Sequence, residues 1–224
     1  MTTVATNGHA MYADKRSTNV NPQSYACNDC GSTGHSSKEE ATKITLLDKE
    51  SKLDHRLIEG RKAVFMGTCG SSNMTSFIKA IWTARSDLKH IVDAFSAVNM
   101  ENTRIPDGQA LIVTENHEVY RFSVSPRKKL MSLREIPQKE LPVAIGSGAS
   151  YFHTYLESFK IGWFFAFRMA IHRDKHSSTD TYSVAGWKLD KETGKQKLGM
   201  KERVRPAQSY EDILKIAQRN MRLK

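Results

Sequence analysis

The sequence predicts an α+β fold in which antiparallel strands and paired helices stack as a layered sandwich. Three observations lead there. Apolar residues recur at helical spacing in two stretches, each bordered by short runs of strand-like alternation. Asn7-Gly8 joins the first two of those runs, and an Asn-Gly pair is the strongest short hairpin signal. Helices bunched in pairs between strands suit a layered α+β arrangement better than alternating βαβ units do.

Taken in order, Thr2–Thr6 and His9–Asp14 read as the arms of the first hairpin. Lys15 to Glu40 is polar and rich in Ser, Asn, Thr and Gly, which predicts an unusually long loop. Strand character resumes over Thr42–Asp48 and again over Lys62–Met66, the latter ending at Gly67-Thr68-Cys69-Gly70. From Asn73 to Met100, residues such as Phe77, Ile78, Ile81, Leu88, Val92 and Phe95 recur at helical spacing, with a break near Ser86 that divides the stretch into two helices.

Pro106-Asp107-Gly108 is a turn, and Ala110–Thr114 with Glu118–Phe122 form a second hairpin. Pro142–Ile145 is a short buried strand meeting Gly146-Ser147-Gly148, and helices follow over Ala149–Ser158 and Gly162–Arg173. Thr181–Leu189 is a further strand. Tyr210–Arg222 reads as a last helix with Ser209 as its N-cap. The expected division is one domain over 1–189, interrupted by the polar loop 15–41, and a basic C-terminal extension over 190–224 with a helix at about 210–222.

Composition narrows the class. At 224 residues, the chain suffices for one sizeable core plus an appendage. Its longest apolar run, Ile161 to Phe167, is interrupted by Gly162 and too short to span a bilayer, so no membrane partner is expected. No secretory signal pattern opens the chain. Its 3 cysteines offer no disulfide framework, which points to a reducing cytoplasm. The formal net charge is +10, and more than half of that excess falls between Lys188 and Lys224. A basic tail of this kind solubilises, or binds nucleic acid or an acidic surface.

Thr2 is the residue with the most chemistry in reach. Loss of Met1 would leave it with a hydroxyl nucleophile and a free α-amine to act as base, a recognised activated pair. Met-Thr is also a common chain start, Asp14 alone would merely close a hairpin, and Lys43 alone would be a surface lysine on a strand. Their order along the chain is what sets them apart. Thr2-Thr3-Val4, Asp14, Thr42-Lys43-Ile44, Gly67-Thr68-Cys69-Gly70-Ser71, Ala144-Ile145-Gly146-Ser147-Gly148 and Arg173-Asp174-Lys175-His176-Ser177 each fall at an element boundary.

In that order they resemble the proteasome-like family of N-terminal-nucleophile hydrolases, and within it the bacterial heat-shock-type peptidase subunits and their phage-encoded relatives. The resemblance spans about Met1 to Leu189. It implies a four-layer αββα sandwich, two antiparallel sheets between helix pairs, and a threonine endopeptidase acting through Thr2. It also implies roles for the other motifs. Lys43 would keep the α-amine neutral, with Asp14 holding Lys43 oriented. Ser147, Asp174 and Ser177 would hydrogen-bond the amine and relay protons, and the Gly70 N–H would face the oxyanion. Ser17, Ala41, Thr45, Thr68 and Ser72 would line the first substrate pocket; all are small and uncharged, which argues against charged side chains there. The spacing from Thr2 to Asp14 is several residues shorter than the family's. An even trim of both hairpin arms preserves which face each side chain uses.

The resemblance further implies a peptide or unfolded-protein substrate, self-association into a ring or other homo-oligomer, and an ATP-dependent unfoldase as partner. No Walker-type phosphate loop is present in the sequence, so ATP hydrolysis would be that partner's. The location implied is bacterial or phage-infected host cytosol. No cofactor is expected, with one motif to set beside that. Cys27, Cys30 and His35 follow the spacing of a zinc knuckle whose fourth position is Glu40 rather than Cys, an atypical zinc set, and a metal-free polar loop is the simpler reading. The alternative function is a catalytically silent scaffold of the same fold, binding nucleic acid or a protein partner through the basic extension and the Cys27/Cys30/His35 loop.

Overall fold

Asn7-Gly8 turns the chain as expected: the Asn7 side-chain oxygen accepts the N–H groups of His9 at 3.0 Å and Ala10 at 2.9 Å. The computed structural model describes residues 3–18, 38–40, 43–47, 55–83, 85–96, 105–174, 181–189 and 196–204, together with 212, 215 and 219. The strands begin with β1 (Thr3–Thr6), β2 (Ala10–Asp14), β3 (Arg16–Thr18), β4 (Lys38–Glu40), β5 (Ile44–Leu46), β6 (Leu57–Ile58) and β7 (Arg61–Gly70). Helices α1 (Met74–Ile81) and α2 (Leu88–Ser96) follow, then β8 (Gly108–Thr114), β9 (Val119–Ser125), β10 (Leu130–Ile136) and β11 (Val143–Gly146). Helices α3 (Ala149–Phe159) and α4 (Trp163–Arg173) precede β12 (Thr181–Leu189) and β13 (Gln196–Val204).

This is a mixed α/β fold with two main antiparallel sheets and four helices among the described residues. The first sheet runs β11-β1-β2-β12-β13 and the second β10-β9-β8-β7-β5, with β6 beside β7 and β3 paired to β4 as a separate ribbon. Alternation along the strands assigns their side chains to separate cores. Val4, Met11, Ile44, Phe65, Leu111 and Ile145 pack together, joining one face of each sheet. The other face of the second sheet, through Ile112 and Phe122, buries Met74, Ile78, Leu88 and Val92 of α1 and α2. The other face of the first, through Ala5, Ala144 and Tyr182, buries Phe152, Tyr155, Phe167 and Ala170 of α3 and α4.

One glycine sets how closely the sheets approach. A Cβ at Gly67 would lie 2.5 Å from Met11 Sδ and 2.6 Å from Val4 Cγ1, so β7 passes beneath β1 only because that position has no side chain. The break between α1 and α2 is also specified. Trp82 is fully buried there, and its indole N–H is shared between the carbonyls of Leu57 and Ser86, each at 3.1 Å.

Several elements differ from the sequence expectation. The segment predicted as one long loop contains β3 and β4 at its two ends. β7 does not stop at Met66; it continues through Gly67-Thr68-Cys69-Gly70, paired with β8 as far as Gly70↔Gly108. β10 was not predicted, because its sequence LMSLREI carries adjacent apolar residues rather than alternation. Nor was β13, whose QKLGMKERV is half charged and holds a glycine; it nonetheless pairs along the whole of β12, from Thr181↔Val204 to Leu189↔Gln196. The first part of the basic extension is therefore an edge strand of the first sheet. Of the last expected helix, Asp212, Lys215 and Arg219 are helical and its bounds lie outside the described residues. No helix among the described residues is long and apolar enough to cross a membrane.

Candidate functional site

The start of β1 is pinned by an aspartate that the hairpin register brings beside it. Val4 lies opposite Ala13, so Asp14 at the end of β2 faces the entry to β1. Asp14 is completely buried, and its Oδ1 accepts the Thr3 backbone N–H at 2.9 Å. The same oxygen accepts from Lys43 Nζ at 3.2 Å, forming an ion pair with side-chain exposures of 0% for Asp14 and 10% for Lys43. Lys43 immediately precedes β5, and its carbonyl accepts the Thr68 N–H at 3.0 Å, which ties it to β7.

Burial draws the Lys43 pKa below the usual lysine value. The negative field and hydrogen bond of Asp14 oppose that shift, with smaller contributions from Cys69 and Asp174. Lys43 therefore lies within the fields of an aspartate on the first hairpin and another after α4. Asp174 is buried at the C-terminal end of α4, and its Oδ2 accepts a short 2.5 Å hydrogen bond from Ser147 Oγ. Ser147 occupies the turn between β11 and α3, next to Gly146, which pairs directly with Thr3.

Gly70 ends β7 at φ +104, a conformation open to glycine and costly for other residues. A Cβ there would fall 2.5 Å from the Asp107 carbonyl oxygen. That carbonyl accepts the Ser71 N–H at 2.9 Å, so the turn after β7 is held against the entry to β8. Cys69 is buried one residue earlier, and burial pushes its thiol up to about 12, with Lys43 acting in the opposite sense. Such a thiol is protonated at neutral pH and does not behave as a nucleophile.

Of the residues expected to line a substrate pocket, Thr45 is half-buried in β5, opposite Met66 on β7. Thr68 is buried and its hydroxyl is hydrogen-bonded to Thr75 at 2.7 Å. Ser72 is exposed at the turn before α1, and Ser17 is a backbone position in β3 opposite Glu39. Thr2, Ala41 and Ser177 lie outside the described residues, as do Cys27, Cys30 and His35. Among the described residues no group of three or more His, Cys, Asp or Glu is arranged to hold a metal ion.

Sequence reasoning missed two supports of this site. The Thr3 N–H bond to Asp14 joins the aspartate to the strand itself, and the hairpin register alone could have revealed it. Gly148 packs directly on the Thr3 side chain, with no room for a Cβ. The signal in that case was the second glycine of Gly-Ser-Gly, which the sequence offers only as part of a turn.

The fold and these groups define a two-sheet α/β scaffold that gathers one ion pair and one Ser–Asp pair around the first residues of its first strand, with a strand-end glycine closing β7. No protein-family model matches the chain, and no curated protein matches it. Among solved structures the chain is similar to Anbu (ancestral beta-subunit) from Yersinia bercovieri. The TM-score is 0.51 at 10% identity, over 100% of this chain and 96% of that one. At that identity the likeness is one of fold. It corrects the placement with the N-terminal-nucleophile hydrolases of the bacterial heat-shock type or their phage-encoded relatives, which no family or curated match supports. The physical reason is that the six motifs are largely strand ends and glycine turns. Such features follow from a backbone architecture and do not mark one branch of proteins that share it.

Proposed function

We propose that this chain is a threonine-type endopeptidase whose nucleophile is Thr2, exposed by removal of Met1. The observation that carries the reading is the convergence on the start of β1: Asp14 holds both the Thr3 N–H and Lys43, while Ser147 holds Asp174 beside Gly146. Thr2 precedes Thr3 directly in the sequence, and the proposal assigns its α-amine and hydroxyl to this cluster.

The chemistry follows from charge. An α-amine titrates near 7.7–8.0, so part of it is already free at neutral pH. The neighbouring Lys43 disfavours the ammonium form further, and Asp14 keeps the proton on Lys43. The Thr2 hydroxyl adds to the peptide carbonyl while the α-amine takes its proton. The C–N bond breaks as that proton passes to the leaving amine, and water then hydrolyses the ester. The Gly70 N–H stabilises the oxyanion, and Ser147, Asp174 and Ser177 orient the amine and carry its proton. Ser17, Ala41, Thr45, Thr68 and Ser72 form a first pocket for uncharged side chains.

The same proposal extends to architecture. The three cores support a four-layer αββα stack for the unit ending at Leu189, joined to the basic extension through β13. The half-buried Phe77, Ile81 and Ile91 on α1 and α2 support self-association into a ring. Digestion of an unfolded protein by the wild-type chain and by Thr2→Ala tests the assignment. The wild type cleaves and the variant does not; cleavage that survives Thr2→Ala removes Thr2 as nucleophile.

A further inference from the structure

β13 is two-sided in a way its composition conceals. Its partly buried Leu198 and Met200 pack against the core between the sheets. The alternate positions Lys197, Gly199 and Lys201 therefore belong to the opposite face. Register adds Lys188 to that face, because Lys188 lies opposite Lys197, Gly186 opposite Gly199 and Val184 opposite Lys201. Lys188, Lys197 and Lys201 are all exposed. Gly186 is closely backed by His9 and Ala10, while the Lys188 side chain lies across Gly199, its Nζ 3.9 Å from where a Cβ would sit.

Lys188 also borders a pocket of about 250 Å³ whose lining includes Tyr12, Phe164, Tyr182, Val184 and Gly186. Its aromatic wall is ordered by ring contacts: Tyr12 meets Trp163 at 4.8 Å, Phe164 at 5.1 Å and Tyr182 at 5.9 Å between centroids. Tyr12 and Phe164 are half-buried and keep part of their surface open to solvent. Tyr182 is buried at the base of the pocket, so the partly exposed Tyr12 and Phe164 are the rings a ligand can reach, beside cations spaced along a strand; that pairing suits single-stranded nucleic acid. Bases stack on the aromatics whatever their sequence, and lysines meet the phosphates.

We infer that the outer face of β12 and β13 binds single-stranded nucleic acid, one base entering the Tyr12/Phe164/Tyr182 pocket and the backbone running over Lys188, Lys197 and Lys201. Charge complementarity selects this occupant over a second copy of the same basic chain, and the aromatic wall selects it over a purely acidic peptide. Tyr182 lies opposite Asp14 in the register, but the site takes no side chain from the Asp14–Lys43 or Ser147–Asp174 pairs, so its test is separate from that of the peptidase reading.

Fluorescence anisotropy of a labelled oligothymidylate on the full chain tests it. Three phosphate contacts predict about a 20-fold loss of affinity between roughly 50 and 200 mM salt. Lys197→Glu with Lys201→Glu weakens binding by about tenfold or more, since two of three phosphate contacts become repulsive. Phe164→Leu, which keeps an apolar side chain but removes the ring, weakens it by about fivefold or more at unchanged salt slope. Far-ultraviolet circular dichroism verifies that each variant is folded. Affinity that survives the charge reversal overturns the site. Equal binding of poly-glutamate, with no effect of Phe164→Leu, overturns nucleic acid in favour of an acidic protein partner.

Discussion

A single carboxylate oxygen, Asp14 Oδ1, accepts both the Thr3 N–H and the Lys43 ammonium inside a buried site. Removing either charge strands the other away from water. Lys43→Met is therefore predicted to lower the free energy of unfolding by roughly 3–5 kcal/mol, measured by urea denaturation, although methionine fills much of the same volume. Lys43 also sets an alkaline trend. Its folded pKa is below the ordinary lysine value of 10.5, so near that pH the unfolded chain binds its proton more readily than the folded chain does. The contribution of Lys43 to stability accordingly rises with pH through that window, until both states are neutral. Asp14 and Lys43 were singled out in the sequence by their order among the motifs, one at the end of the first hairpin and one at the start of a later strand, which the structure places in the second sheet. Their shared bond with Thr3 was not, because it depends on hairpin register.

Elements act here mainly through the turns that join them. Gly148 opens α3 with its Cα against the Thr3 side chain, so Gly148→Ala forces β1 or α3 to move. The predicted cost is about 1–3 kcal/mol of overpacking, read from the thermal midpoint, with a larger proportional loss of peptide cleavage. At the far tips of the hairpins, His9 and His117 stack at 4.1 Å and His117 meets Trp187 at 4.4 Å. His117 Nδ1 is buried without a hydrogen-bond partner among the described residues. Burial first, and then His9, draw the His117 pKa below 6.5, and burial does the same to His153 on α3.

Folding therefore disfavours the charged form of both histidines, and below pH 6.5 the unfolded chain takes up their protons more readily. Stability is complete above that pH and falls toward the lowered folded values. The urea midpoint is predicted to drop between about pH 8 and about pH 5.5. His117→Asn, which tolerates the positive φ of 67 at that position, removes part of the drop. An unchanged slope in the variant would assign the acid sensitivity elsewhere.

At the scale of the molecule, the elements that sequence exposed were those with a clean period. Phe77 to Val92 gave a helix pair because helical spacing survives its interruption at Trp82, and Ala110–Phe122 gave a hairpin because a continuous apolar arm and an alternating one flank the polar Glu115-Asn116-His117. β10 and β13 escaped because edge strands need only one packed face and tolerate charge on the other. The basic extension was read by charge count, whereas Leu198 and Met200 show that its first part is held by the core. The site was legible as a set of residue types in order. The likeness to an ancestral beta-subunit accounts for that order as an architecture, so the chemistry has to be tested on Thr2 itself.

Intact mass after treatment with an electrophilic peptide that reacts with N-terminal threonine is the most direct measurement. The account predicts a chain lacking Met1 that gains one covalent adduct on Thr2, with no adduct on Thr2→Ala. A mature chain that retains Met1 and forms no adduct would contradict it.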